Sequence, residues 1–256
     1  MSNSGYGEYL SKTYDLLNSD VNYKDWADFY CKCFEKYSDI PVKHICEMAC
    51  GTGNMSVELR KRGYTLTAFD ISEEMLTIAD KKAQDEGITD IRFTLQDMQS
   101  FRVYSKIQGA VCMMDSINCL GDTSCVYEAF ESVFDALDEG GIFIFDVNTK
   151  HKFEKVYSDN AYVLEDSRVL LAWQNFYNSK SRKCDLYLTF FIEDNDGRYT
   201  RFDEHIKQKM YTDRILTKQL LNAGFEIKAK VSGFEFLPAD ENTDDRMFYI
   251  CVKRTK

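Results

Sequence analysis

Apolar residues recur along this chain with two alternating periods. Trp26, Phe29, Tyr30, Cys33, Phe34 and Tyr37 step by three and four, which gathers them on one face of a helix. Pro41 breaks that helix, and the run HICEMA at 44–49, closed by Gly51, predicts a strand buried on both faces. A helix from about Met55 to Arg62 stops at Gly63, and the strand TLTAF ends at Asp70. Ser72 caps the next helix, with Glu73 and Glu74 in its first turn and Met75, Leu76, Ala79 and Ala83 on its buried face. IRFTLQ then leads to Asp97 and Met98, and GAVCMM to Asp115 and Ser116. Val126, Ala129, Phe130, Val133, Phe134 and Leu137 form one more helical stripe, which Gly140 and Gly141 are expected to end before a fifth strand, IFIFDV.

From about Lys150 to Tyr211 this alternation gives way to β-rich sequence with a hairpin signal at Asp196 and Gly197. Within it Cys184, Leu186, Leu188, Phe190 and Ile192 alternate with Asp185, Tyr187, Thr189 and Phe191, so one face can pack on a core. The other is expected to present Tyr187 and Phe191, joined by Arg201, Asp203 or His205, as the wall of a small-molecule pocket. The α/β pattern returns with a helix from Thr212 to Ala223, Gly224 at its end, and strands near 225–236 and 246–253. The expected fold is α/β: a Rossmann-like, mostly parallel, seven-stranded sheet with helices on both faces, plus an inserted antiparallel β-sheet. The expected division is a main domain of 1–149 and 212–256 with an inserted, substrate-side subdomain of 150–211.

Composition narrows the picture. The 256 residues carry 42 acidic and 32 basic side chains, a net charge of −10, so nucleic acid is disfavoured as a partner. There is no apolar run long enough to span a membrane and no apolar core of a signal peptide in the opening MSNSGYGEYL, so a cytoplasmic location is expected. Nine cysteines without a Cys-x-x-Cys pair, and histidines scattered at 44, 151 and 205, suggest neither disulfides nor a metal site.

In open α/β sheets the ligand crevice lies at the carboxyl ends of the strands, where Glu47 to Gly53, Asp70, Asp97 and Asp115 are expected to gather. Glycines at 51 and 53 admit close backbone approach to a ligand, and a carboxylate about 20 residues on can accept both hydroxyls of a ribose. Position 56 is Ser, not the third small residue of the dinucleotide fingerprint, and Glu47 would disfavour a pyrophosphate. That carboxylate suits the ammonium and sulfonium charges of S-adenosylmethionine. Asp97 and Met98 can hold an adenine, by amine and by ring face.

At this point the chain resembles the class I S-adenosylmethionine-dependent methyltransferases, and within them a bacterial subgroup with an inserted antiparallel β-sheet. The resemblance runs from about Tyr14 to Lys253 and is carried by YDLLNSDVNYKDW at 14–26, CEMACGTGN at 46–54, TAFDISEEML at 67–76, QDM at 96–98, MDSIN at 114–118, LDEGGIFIFDVNT at 137–149 and RFDEHIKQKMY at 201–211. It implies that Glu47, Ala49, Gly51 and Gly53 line the methionine part, and Asp70 with Ile71 the ribose. Asp97 and Met98 flank adenine, and Met114 and Asp115 face the sulfonium. Met75 and Gln96, within the same segments, complete the expected site. It also implies that an N-terminal helical lid of about residues 1–40 covers the cofactor. Of its aromatic residues Tyr6, Tyr9, Tyr14, Tyr23 and Trp26, two are taken for the pocket, Tyr14 and Trp26. Ala49 stands where many members of the wider family have glycine.

The expected function is methyl transfer from S-adenosylmethionine to a small-molecule acceptor. The sulfonium already makes the methyl electrophilic, so no catalytic residue is assigned from sequence. Three alternatives stay open: a catalytically silent cofactor-binding module for a protein partner, an RNA methyltransferase, and a nicotinamide oxidoreductase. The acceptor is not written in the sequence, and an oligomer is compatible with it.

Overall fold

The computed structural model describes residues 8–166 and 168–254; Tyr6 lies outside them, as does the side chain of Tyr9. The main sheet has seven strands: β1 (His44–Met48), β2 (Thr65–Asp70), β3 (Arg92–Leu95), β4 (Ile107–Cys112), β5 (Leu137–Asn148), β10 (Phe225–Val231) and β11 (Arg246–Lys253). Their spatial order is β10-β11-β5-β4-β1-β2-β3, and β11 alone runs antiparallel to its neighbours. Order reverses between β1 and β4, which pair from Ile45↔Gly109 to Met48↔Cys112. The crevice beyond the carboxyl ends of these two strands is therefore the expected ligand position.

Period-two side chains explain why the strands are apolar throughout. Ile142 and Ile144 of β5, with Phe248 and Ile250 of β11, face α2 (Tyr23–Tyr37) and α3 (Asn54–Lys61). Phe143, Phe145 and Tyr249, one residue out of phase, face α5 (Thr123–Ala136) and α6 (Asp213–Ala223). The helix α4 (Glu73–Asp85) starts where expected, with Ser72 accepting a 3.2 Å hydrogen bond from the Met75 amide.

Two boundaries differ from expectation: β10 stops at Val231, short of 236, and the α5–β5 junction lies earlier in the chain. Helix α5 ends at Ala136, and β5 begins at Leu137, so Gly140 and Gly141 lie inside a strand. Leu137 already pairs with Ile107, and the register shifts before Gly109↔Ile142. Gly140, at φ 79°, absorbs that bulge.

Between β5 and α6 the chain forms a π-helical turn (Lys152–Tyr157) and an antiparallel sheet of β6 (Ala161–Asp166), β7 (Val169–Asn178), β8 (Lys183–Glu193) and β9 (Tyr199–Lys209), in that spatial order. Cys184, Leu186, Leu188 and Phe190 are buried, and Leu16 and Leu17 of α1 (Glu8–Leu17) pack against the same cluster. The opposite face differs from expectation. Tyr187 is 44% exposed and Arg201 pairs with Asp203 in solvent, because burial of the even-numbered residues turns the odd ones outward. Only one end of β9 is brought to the crevice. Among the described residues no helix is long and apolar enough to cross a membrane.

Candidate functional site

A cavity of about 580 Å³ opens at the switch point and runs from Ala49 and Gly51, past Asp70, Ile71, Met75, Gln96, Asp97 and Met98, to Cys119, Gly121, His205 and Lys207. A smaller one of about 30 Å³ adjoins it, lined by Tyr14, Tyr23, Glu47, Ala49, Gly51 and Met114. Of the fourteen residues expected at the site, eleven line one or both: Tyr14, Glu47, Ala49, Gly51, Asp70, Ile71, Met75, Gln96, Asp97, Met98 and Met114.

The turn after β1 is held by backbone geometry and by Asp70. Ala49 has φ 50° and Gly51 φ 53°, and the Gly51 amide donates to Asp70 Oδ2 at 2.8 Å. Asp70 Oδ1 accepts from the Ser72 amide at 3.0 Å. Burial raises the Asp70 carboxyl above its ordinary value against the opposing pull of these amides. Each oxygen keeps a lone pair for a ligand hydroxyl.

Glu47 is 1% exposed, and Ser56 donates a short hydrogen bond to its Oε2. Burial pushes its carboxyl up to about 8. Above it lies Tyr14, whose ring sits 4.0 Å from where a Cβ on Gly51 would stand. The hydroxyls of Tyr14 and Tyr23 point at Met114 Sδ from 3.8 and 3.9 Å. Met114 and Asp115 both have positive φ, 55° and 52°, so β4, like β1 at Ala49, ends in left-handed backbone at non-glycine residues beside the cavity.

At the far wall Gln96 spends its amide on Thr94 and accepts from the Arg102 amide, while Asp97 accepts from the Gln99 amide at 2.9 Å. Ile71 is 52% exposed and Met98 partly buried, giving apolar surface to a planar ligand.

Three expected residues stand elsewhere. Trp26 packs with Phe234 and Phe248, ring centroids 5.4 and 5.3 Å away, with the Arg246 guanidinium 5.5 Å from its own ring. It lies on the amphipathic face of α2, which the sheet claims for its core. Gly53 lies beneath the turn, where a Cβ would meet the Ala79 Cβ at 2.8 Å. It lets α4 approach the turn. Asp115 turns away from the cavity to bind Arg246 at 3.0 Å and Gln208 at 2.7 Å, because the buried Asp146 draws Arg246 to this point.

The structure also brings in residues that no sequence signal marked. Asp15 of α1 accepts from Thr52 and Asn54 and pairs with Lys82 at 2.6 Å, tying α1 to the glycine turn. Burial works against the ionised form of Asp15, but Lys82, Thr52 and Asn54 hold it and lower its pKa. Their separation along the chain hid this contact. Ser56, read from sequence only as a departure from the dinucleotide pattern, proves to be the partner of Glu47.

Around the glycine turn the described lining residues offer carboxyls, thioethers and aromatic rings, and the cationic groups stand only at the β9 end. Such a lining favours a cation over a phosphate. Comparison with known proteins agrees. Residues 45–141 match the model of a family described as "Methyltransferase domain". A Geobacillus sp. (strain WCH70) protein named "Putative methyltransferase GWCH70_2453" is 31% identical over 246 residues, covering 96% of this chain and 99% of that protein. The crystal structure of an S-adenosylmethionine-dependent methyltransferase from Clostridium acetobutylicum superposes with a TM-score of 0.86 at 29% identity, covering 98% of this chain and 99% of that one.

The chain belongs to the class I S-adenosylmethionine-dependent methyltransferases.

This methyltransferase takes its methyl group from S-adenosylmethionine, and the residues present fit that donor. A carboxyl as deeply buried as Glu47, with one hydroxyl partner, favours a cationic group beside it. The space above Gly51, where a Cβ would reach nothing but the Tyr14 ring, admits a ligand chain against the backbone. The fold alone is shared with more distant methyltransferases, among them the sugar N-methyltransferase KedS8 from Streptoalloteichus sp., at 18% identity, a TM-score of 0.77 and coverage of 100% and 98% of the two chains.

Proposed function

We propose that this methyltransferase acts on a small-molecule acceptor that carries an amine or hydroxyl and enters beside the end of β9. The observation that carries the reading is that the larger cavity runs from the glycine turn to His205 and Lys207, so that donor and acceptor can meet in it. Its volume lies in the range of small-molecule sites. In this reading Glu47, Ala49 and Gly51 hold the methionine part under Tyr14, Asp70 and Ile71 the ribose, and Asp97 and Met98 the adenine. Met75 and Gln96 form walls, and Met114 stands at the sulfonium. Gly53 and Asp115 act from behind the cavity, and Trp26 anchors α2. In the same reading the division is a donor domain of 1–149 and 212–256, with its N-terminal segment of about 1–40 as the lid, and an acceptor-side insertion of 150–211.

Sugar methyltransferases of the same fold support a small polar acceptor. The net charge of −10 and the carboxylates along the cavity weigh against RNA. The test is incubation with methyl-labelled S-adenosylmethionine and either a metabolite extract or total RNA, followed by mass spectrometry. Label is expected in a low-molecular-weight product. Label confined to RNA would overturn the reading, and label in neither would support a silent binding module.

A further inference from the structure

Among the described residues His205 is the only histidine on the wall of the cavity, and two neighbours on the sheet fix its ring. Its Nε2 lies 2.7 Å from Asp185 Oδ1. In the neutral ring that donates from Nε2 to this carboxylate oxygen, Nδ1 keeps its lone pair. The ring stacks on Tyr187, its direct partner across the β8–β9 pair, with centroids 4.4 Å apart and planes 4° from parallel. Phe176 packs on Tyr187 from the next strand, at 5.7 Å. One neighbour thus sets the tautomer, and the other sets the plane.

We infer that His205, oriented by Asp185, is the general base that takes the proton from the acceptor during methyl transfer. The inference rests on the small-molecule reading above. An amine that arrives as ammonium, or a hydroxyl, has a proton to lose before or as its lone pair attacks. The lone pair forms the bond to the methyl carbon, and the carbon–sulfur bond breaks with its electron pair going to sulfur. The acceptor's proton passes to His205 Nδ1 and then to water. Asp185 stabilises the imidazolium formed in between.

Among the described residues the sheet offers no competing base at this place. Arg201 is engaged by Asp203, and Asp203 accepts also from Thr189, all on exposed surface beyond the cavity. The titratable and charged groups beside the imidazole on the sheet are Asp185 and Tyr187 on β8 and Asp203 and Lys207 along β9, and Tyr14, Asp70, Asp97 and Cys119 line the same cavity.

The test uses the full chain, methyl-labelled S-adenosylmethionine and a metabolite extract, comparing wild type with His205→Ala, Asp185→Asn and Arg201→Ala. Loss of a general base lowers the rate by roughly 10²–10⁴-fold. His205→Ala is expected to lose transfer on this scale, to recover part of it with added imidazole, and to lose the acid limb of the pH–rate profile. Its affinity for S-adenosylhomocysteine by calorimetry stays at the wild-type value. Asp185→Asn shows a smaller loss with a displaced acid limb, and Arg201→Ala transfers at the wild-type rate. Wild-type rates and pH profile in His205→Ala would overturn the base while leaving the acceptor reading intact. A loss without imidazole rescue, accompanied by weaker S-adenosylhomocysteine binding, would show a structural histidine. A wild-type enzyme that labels no metabolite removes the acceptor reading, and the base with it.

Discussion

Asp15 Oδ1 lies 2.6 Å from Thr52 Oγ1, which joins the N-terminal helix to the glycine turn across 37 residues of sequence. The same carboxylate accepts from Asn54 and pairs with Lys82, while the next two residues of the helix, Leu16 and Leu17, pack on the inserted sheet. Tyr14, one residue before, covers the cavity. Helix α1 is thus fastened on both sides of the ligand space.

Replacing Asp15 by alanine is expected to loosen α1 without unfolding the protein. The pair is half exposed and contributes about 1 kcal/mol or less. Melting should change little, while amide exchange over residues 8–17 and release of S-adenosylhomocysteine speed up by roughly fivefold at most. Hydrogen-exchange mass spectrometry and stopped-flow displacement measure the two. Unchanged exchange would show that α1 is held by Leu16 and Leu17 alone.

Donor binding is expected to depend on the protonation of Glu47. With its carboxyl raised to about 8 by burial, the ligand-free protein holds this group protonated at neutral pH. A cationic ligand favours the carboxylate, so a proton leaves on binding and affinity rises with pH up to about 8, by at most about tenfold per pH unit. Calorimetry at pH 7 in buffers of different ionisation enthalpy should detect that proton. For the ligand-free fold the sign is opposite. A carboxyl with a raised pKa gives its full stabilisation below its ordinary value and withdraws it as pH rises through about 8. Glu47→Gln should therefore raise the melting temperature at pH 8 and weaken S-adenosylmethionine binding.

The two glycines of the turn are expected to fail differently. In Gly53→Ala the new methyl meets the Ala79 Cβ at 2.8 Å and Cα at 3.1 Å, at a φ of 77°, so α4 must shift. A loss of about 2–4 kcal/mol is expected, combining left-handed strain with overpacking. Gly51→Ala has room, its nearest neighbour being the Tyr14 ring at 4.0 Å. It should cost stability only about 1–2 kcal/mol from backbone strain, and affinity more than that. Thermal melts and titration with S-adenosylhomocysteine separate the two outcomes.

Arg246 is expected to be the most costly of the charged residues to remove. It pairs with Asp146, which is fully buried, and with Asp115, and its guanidinium also faces Trp26. Asp146 is held at about 6, raised by burial and restrained by this arginine. Arg246→Ala leaves that carboxylate without compensation and should destabilise by about 3–5 kcal/mol. Asp146→Asn in the same chain should restore part of the loss. Denaturant unfolding of the two single variants and the double variant measures the coupling.

Periodicity determined the order of strands and helices around the main sheet, the buried faces of α2, α4 and α5, and the strand ends at which the crevice lies. Those features follow from local steric rules and from the fixed hand of the crossovers, which sequence spacing expresses directly. It also marked Glu47, Gly51, Asp70 and Met98, because strand ends and turn glycines are local signals. The tertiary structure decided what spacing cannot encode. The amphipathic pattern that includes Trp26 was legible, but only packing showed that the sheet claims this ring. Asp115 stood at the right strand end, yet its side chain follows a charge contributed 131 residues later by Arg246. The Asp15 latch and the Asp185–His205 pair likewise join residues through space. His205 lines the cavity and Arg201, four residues earlier on the same face of β9, stands in solvent. Their difference is one of position along the strand relative to the crevice, which a period of two does not record.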